Sequence, residues 1–258
     1  MKLTFLGTGT SFGVPVVGCD CDTCTSDDPR DRRTRHGAVV DLPEGRLLVD
    51  TPPELRLQLL SVGVPSIDAL WLTHDHADHV HGIDDVRAFT VRGNDLPTWT
   101  APEYVTSLHE RFRYIFDEAV QPPMGSSKPR IVLNTFEPNV PVRILGEDVV
   151  PVRVPHGGPM AYGFRVGGLG YVTDAKMLPD DALDVLRGVD VLVLNALWFG
   201  RPHGSHFNIE EAIEAAAQVG ARTTYLTHLT HRVRHEELLE KLPAGVAPAY
   251  DGLAVEIG

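Results

Sequence analysis

The run His74-Asp75-His76-Ala77-Asp78-His79 places three imidazoles and two carboxylates in six consecutive residues, and His81 follows two positions later. Neutral imidazole nitrogens and carboxylate oxygens are ligands for divalent ions such as Zn²⁺ and Mn²⁺. Side chains alternate in an extended segment, so His74 and His76 point to one side. Asp78 and His79 fall on the turn that follows and can serve a second ion close by. A plain surface loop rich in His and Asp is the competing reading. The apolar stretch from Ile67 to Leu72, which runs straight into the cluster, argues against it.

A second group of ligand-type side chains lies near the N-terminus, in Gly18-Cys19-Asp20-Cys21-Asp22-Thr23-Cys24, which holds all three cysteines of the chain. An odd, tightly spaced set points to metal rather than to disulfides. Three thiolates are one ligand short of a closed tetrahedral zinc site. The alternative, three buried free thiols, fits poorly with hydrophilic neighbours.

The elements that would position these groups alternate between strand and helix. Lys2 to Gly7 reads as a strand, and Arg46 to Asp50 as a short buried strand ending in an aspartate. Pro52 to Leu60 reads as a helix with Leu55, Leu59 and Leu60 at helical spacing and Gly63 as its stop. Ile67 to Leu72 is a strand that delivers the His cluster at its carboxyl end, where open α/β architectures place chemistry. Asp84 to Val91 and Glu103 to Phe116 look helical, with a turn at Gly93-Asn94-Asp95. Residues 121–129 form a loop by composition, either a connector or a lid, with the connector preferred. Further strands are expected at Val149 to Val154, Tyr162 to Val166, Leu169 to Val172, Val189 to Asn195 and Thr223 to Thr227. The helix from Asn208 to Gly220 carries a capping-box pattern, with Asn208 as N-cap and Glu211 three residues on. This alternation in both halves predicts an α/β protein with two sheets face to face and helices outside.

The chain has 258 residues, 43% hydrophobic and 22% charged, as expected of an ordinary globular enzyme with a sizeable core. It has no run of about 18 apolar residues, and its opening residues are too soon interrupted by glycine to read as a secretory signal. The expectation is a cytoplasmic protein with no membrane partner. Net charge is −12. Proteins that grip long nucleic acids draw affinity from phosphate neutralisation by a basic face. A small anionic substrate drawn to a local cationic centre therefore fits better than a nucleic acid.

The 73–79 segment resembles the Thr-His-x-His-x-Asp-His signature of the metallo-β-lactamase fold superfamily. The rest of that pattern is present in order: His156 in Val154-Pro155-His156-Gly157, Asp174 in Tyr171-Val172-Thr173-Asp174, and His228 in Tyr225-Leu226-Thr227-His228. The resemblance implies one αββα sandwich over residues 1–258, with a zinc-knuckle loop at 18–24 and a helical or loop insertion around 83–129. It implies that His74, His76 and His156 bind one metal, that Asp78, His79 and His228 bind a second, and that Asp174 bridges them. His81 has no ligand role in the family and reads as structural. The cysteine motif resembles the structural zinc knuckle of the PhnP-type subgroup, the phosphoribosyl cyclic phosphodiesterases. By that resemblance the fourth ligand is a histidine three residues after the last catalytic one, here His231, giving Cys19, Cys21, Cys24 and His231. The glycine-rich opening Leu6-Gly7-Thr8-Gly9-Thr10-Ser11 is also similar to that subgroup. Its glycines would let the backbone approach a ligand or the metal loop.

His206 matches a histidine that the subgroup and the related tRNA 3′-processing nucleases place beside the metals as a proton donor. His203 is close by, and the alignment through Asn208-Ile209-Glu210-Glu211-Ala212 favours His206. The implied chemistry is hydrolysis by two divalent ions, Zn or Mn, about 3.5–4 Å apart, acting on water in line with a phosphoester leaving group. Asp78 would orient that water as well as ligate. The implied substrate is a small cyclic phosphodiester such as 5-phosphoribosyl 1,2-cyclic phosphate. Arg33, Arg35, Arg165, Lys176 and Arg201 are available for a second phosphate, with nothing in the sequence to select among them. A second copy of the chain is a candidate partner. Two alternatives stand beside this reading. One is a tRNA 3′-processing endonuclease. The other is a non-hydrolytic metal-binding or redox protein on the same fold.

Overall fold

The computed structural model describes residues 1–258. Two seven-stranded sheets carry the chain. The first is built from β1 (Lys2–Gly7), β2 (Gly37–Leu42), β3 (Gly45–Val49), β4 (Ala69–Trp71), β5 (Leu96–Thr100), β6 (Ile131–Thr135) and, at its other edge, β14 (Ala254–Glu256), in the order β14-β1-β2-β3-β4-β5-β6. The second is built from β7 (Val142–Ile144), β8 (Glu147–Pro155), β9 (Met160–Val166), β10 (Leu169–Tyr171), β11 (Val191–Asn195), β12 (Thr223–Thr227) and β13 (Val246–Pro248), in the order β13-β12-β11-β10-β9-β8-β7. The helices are α1 (Leu55–Val62), α2 (Ala77–Val80), α3 (Arg87–Thr90), α4 (Pro102–Arg111), α5 (Arg113–Phe116), α6 (Asp180–Leu186), α7 (Ile209–Val219) and α8 (His235–Lys241). On the outside, α1 packs on β1, while α6, α7 and α8 pack on β8, β11 and β13.

Strand β11 shows how sequence alternation makes the layers. Val191 and Val193 enter the core between the sheets, whereas Leu192 and Leu194 enter the core under the outer helices. A strand apolar on both faces must be covered on both. Trp71 at the end of β4 is fully buried, stacks on Phe136 at 4.4 Å, and donates its indole N–H to the Tyr162 carbonyl at 2.8 Å. The Tyr162 backbone N–H in turn donates to the Thr73 carbonyl at 2.9 Å. The segment that precedes the His cluster is thus fixed to the opposite sheet. No helix is long and apolar enough to cross a membrane.

Most of the predicted elements occur, and the deviations have local causes. Helix α1 ends at Gly63, whose φ of 68° is the left-handed conformation glycine adopts without strain. Leu55 and Leu59 are buried, but Leu60 is 65% exposed. Its expected place is taken by Gln58, which donates to the Arg35 carbonyl and to Thr34 Oγ1, each at 2.8 Å. The helix expected over Glu103 to Phe116 is two helices, α4 and α5, broken at Phe112 with φ −116° and ψ 39°. The segment expected to be helical over Asp84 to Val91 begins as a 3₁₀ turn before α3. Helix α7 carries the reciprocal capping box at Asn208 and Glu211.

Candidate metal centre

In each sheet the strands that bear ligand-type residues run the same way, so their carboxyl ends gather at one rim. Asp50 follows β3 and the His cluster follows β4, two parallel neighbours. His156 follows β8, Asp174 comes three residues after β10, and His228 follows β12. Three of the five non-glycine residues with positive φ belong to this rim: Asp50 (61°), Asp174 (57°) and His228 (57°). Left-handed backbone at a non-glycine residue is uncommon, and here it turns each side chain inward as the strand ends. Asn195 clamps the Asp174 turn, accepting from the Ala175 N–H at 2.7 Å and donating back to the Ala175 carbonyl at 3.1 Å.

The side chains singled out in the sequence lie close together at this rim. His74, His76 and His156 form one group of donor atoms lying within 4.8 Å of one another, and Asp78, His79 and His228 form another. Asp174 belongs with both sides: it groups with His74 and His79, and also with His156 and His206. Its Oδ2 lies 3.2 Å from His79 Nε2, and its Oδ1 lies 3.1 Å from His228 Nε2 and 2.7 Å from His206 Nε2. His203 instead lies beside His206, with Nδ1 to Nδ1 at 3.3 Å, and makes no hydrogen bond to Asp174. Of the two, His206 is the one whose ring reaches Asp174. His81 packs edge-on against Phe112, as a structural residue would.

The ring nitrogens indicate what the pocket can hold. His74 Nδ1 is engaged by Thr73 Oγ1 at 3.0 Å and His156 Nδ1 donates to the Ser205 carbonyl at 3.1 Å, so each ring presents Nε2 to the centre. His74 Nε2, His79 Nε2 and His228 Nε2 are buried without a hydrogen-bond partner. Unpartnered buried nitrogens facing a shared carboxylate are costly unless a cation occupies the space. Burial holds His74 well below its usual pKa and lowers His228 to about 4, which leaves neutral imidazoles. Burial pushes the Asp174 carboxyl up, but His228 and His79 outweigh it and hold the group well below the carboxylate range. Burial alone would lower His79 too. The Asp174, Asp50 and Asp78 carboxylates overcome it and raise the imidazole well above its usual pKa, a surplus of negative charge that a cation would neutralise. The donor set fits a pair of divalent cations.

Two residues that support the ligands had no role in the sequence reading. The Asp50 carboxylate receives both the N–H and the hydroxyl of Thr73 and lies against His79 Nδ1. Its signal was visible, an aspartate ending a buried strand. His36 is buried between Thr227 Oγ1 at 3.1 Å and the Tyr171 hydroxyl at 2.6 Å, and its ring is near-parallel to that of His228 at 6.1 Å. No local pattern marks it.

At the other cluster, Cys19, Cys21 and Cys24 place their sulfurs 3.3, 3.5 and 3.6 Å from His231 Nδ1. Hydrogen bonding from the Cys24 backbone brings the Cys21 thiol down to about 6, so it is a thiolate at neutral pH, the form that binds zinc. Glycine 9 explains how the N-terminal segment reaches this region. It bridges to Arg35 and to Leu229, the residue after His228, and a Cβ there would sit 2.6 Å from the Arg33 carbonyl.

A cleft of about 530 Å³ opens over the centre, and His76, Asp78, His156, Asp174, His206 and His228 form its floor. Residues 121–129 do not line it. Most of the basic candidates are committed elsewhere. Arg33 is buried, donating to the Thr230 carbonyl at 2.7 Å and to Asp31 at 3.1 Å. Arg35 pairs with Glu54, Lys176 with Glu211 at 2.6 Å, and Arg165 donates to the Val185 carbonyl at 2.7 Å. Arg201 remains free at the surface beside the cleft.

A two-sheet sandwich with a His/Asp centre at one rim defines a metal-dependent hydrolase of the metallo-β-lactamase fold. Residues 45–229 match the model of the beta-lactamase superfamily domain. A crystal structure described as a new diphosphatase from the PhnP family is 37% identical, with a TM-score of 0.90 over 100% of this chain and 98% of that one. The chain belongs to the beta-lactamase superfamily and, within it, to the PhnP family. It is also 35% identical over 255 residues to a protein named octanoyltransferase from Porphyromonas gingivalis (strain ATCC BAA-308 / W83). That match covers 98% of this chain but 51% of the relative, so the name describes a protein about twice as long as the matched stretch. The short form of human tRNase Z shares the fold at 18% identity and a TM-score of 0.70, over 100% of both chains.

Proposed function

We propose that this protein is a dinuclear metal-dependent phosphodiesterase acting on a small phosphodiester, with 5-phosphoribosyl 1,2-cyclic phosphate or a close relative as substrate. The observation that carries the reading is the sharing of Asp174 between two three-ligand groups. In it, His74, His76 and His156 hold one cation, Asp78, His79 and His228 hold the other, and Zn or Mn serves. When bound, the two cations supply water of lowered pKa and positive charge at the phosphoryl oxygens. The remaining work belongs to the chain. Asp78 orients the attacking water, and His206 gives a proton to the departing alkoxide. The imidazole of His206 is steered by Asp174 at 2.7 Å. Cys19, Cys21, Cys24 and His231 hold a structural zinc that joins the N-terminal loop to the segment after β12.

A cleft of small-molecule size supports a small substrate over a folded RNA. The net charge of −12 and the scarcity of basic residues at the cleft also count against tRNA. A diphosphate linkage is a second reading, favoured by the description of the 37% identical relative. Its α-phosphorus, like that of a diester, carries two substituted oxygens, one ester and one anhydride.

The test joins elemental analysis to a substrate panel of bis(p-nitrophenyl) phosphate, 5-phosphoribosyl 1,2-cyclic phosphate, a nucleoside diphosphate and precursor tRNA. Metal content close to three ions per chain and preference for the cyclic diester are expected. Asp174→Ala should lose the catalytic ions and at least ~10³-fold of the activity, with its circular dichroism unchanged. Full turnover by Asp174→Ala refutes the centre, and preference for the diphosphate moves the substrate to the second reading.

A further inference from the structure

Among the residues lining the cleft, Arg232 is the single lysine or arginine. Its guanidinium carbon lies 4.3 Å from the ring centroid of Trp198. The Trp198 indole N–H donates to the Arg201 carbonyl at 2.8 Å, which pins the ring. The other wall of this guanidinium opens into a shallow pocket of about 280 Å³ lined by Trp198, Arg201, Pro202, His203 and Gly204. Neither Arg201 nor Arg232 pairs with a carboxylate, although most arginines of this acidic chain do. The exposed ring of Phe12 also lines the cleft.

An arginine stacked on an indole keeps its in-plane N–H donors free, in the fork geometry that meets a phosphate with two hydrogen bonds. A pre-positioned guanidinium that no carboxylate in the chain neutralises leaves its charge and its hydrogen-bond donors available to a ligand. We propose that Arg232, held on Trp198 and flanked by Arg201, is the receptor for a second, non-reacting phosphate on the substrate. This rests on the phosphodiesterase reading and deepens it: the preferred substrate carries two phosphates, one at the metal centre and one at the mouth of the cleft. Binding energy from the remote phosphate then positions the reacting one.

Kinetics on the metal-loaded full chain test this. The probes are 5-phosphoribosyl 1,2-cyclic phosphate, ribose 1,2-cyclic phosphate, which lacks the second phosphate, and bis(p-nitrophenyl) phosphate. Wild-type enzyme should favour the phosphorylated cyclic diester by at least tenfold in kcat/KM. Arg232→Ala should raise KM for that substrate at least tenfold and change kcat/KM for the other two less than twofold. Arg232→Lys should recover part of the loss, because it restores charge without the fork. Trp198→Ala should shift KM in the same sense. Equal losses on all three probes, or an unchanged KM for the phosphorylated one, overturn the assignment of Arg232 while leaving the diesterase intact. Wild-type enzyme inert toward every probe refutes both. Zinc content measured alongside separates this effect from damage to neighbouring His231.

Discussion

The Asp50 carboxylate Oδ2 lies 2.6 Å from Nδ1 of His79, and both residues are fully buried. The carboxylate accepts a hydrogen bond from the Nδ1–H and so turns Nε2 of His79 toward Asp174 and Asp78. Such outer partners fix the tautomer and orientation of a ligating imidazole, and their loss costs about 10–100-fold in metal affinity or activity. Asp50→Asn isolates the charge, since asparagine also accepts a φ of 61°. The expected result is a drop of ~10–100-fold in metal affinity by chelator competition, with a parallel fall in kcat/KM. Unchanged metal affinity would show that Asp50 merely caps Thr73.

The same pair shows where the sequence was legible and where it was not. His79 belongs to a six-residue cluster whose spacing reveals its chemistry locally. Asp50 lies 29 positions earlier, and only the pairing of β3 with β4 brings the two together. Helix α7 was legible because a capping box is a contiguous pattern. Short strands such as β7, β13 and β14, three residues each, are too brief to show a period. Arg232 follows His231 without any local signal. Its significance appears only once most other arginines are seen to be paired with carboxylates and Trp198 is seen beneath it.

Replacing one thiolate should separate stability from chemistry. The three cysteines and His231 tie residues 18–24 to the loop after β12, and the Cys24 sulfur also accepts the Val16 N–H at 3.3 Å. Structural zinc contributes to folding directly because the unfolded chain has no preformed site. Cys21→Ser is expected to lose one zinc per chain and to melt at least ~5 °C lower. Turnover per folded molecule should stay within about twofold, because no ligand of the catalytic cluster is touched. Wild-type melting and zinc content in this variant would refute the knuckle.

Acid sensitivity should have an identifiable contribution outside the catalytic cluster. His235 is buried, with its ring edge-on to Tyr250 at 5.5 Å. Burial, reinforced by the charges of Arg30 and Arg33, lowers its imidazole to about 4. The unfolded residue titrates near ~6.5. Between these values the unfolded chain binds a proton that the folded chain does not, so stability falls as pH drops from about 6.5 through 4. His235→Leu removes this contribution. The fall in Tm between neutral pH and pH ~4.5 should be smaller in the variant by ~5–10 °C, corresponding to about 2.5 kcal/mol. An identical pH slope in the two proteins would exclude His235 as a contributor.

The proton assigned to His206 can be tested through the leaving group. A sugar alkoxide needs protonation as its bond to phosphorus breaks, whereas p-nitrophenolate departs as the anion. General acid catalysis by a positioned side chain is worth ~10²–10⁴-fold, and that factor is at stake only where the proton is required. His206 Nε2 lies against Asp174 Oδ1 at the cleft floor, and His203 lacks this contact. His206→Ala should therefore lose ~10²–10⁴-fold on an alkyl cyclic diester and less than tenfold on bis(p-nitrophenyl) phosphate, at unchanged metal content. His203→Ala should leave both rates within about threefold. Equal losses on the two substrates would mean that His206 serves the metal centre by holding Asp174 and donates no proton.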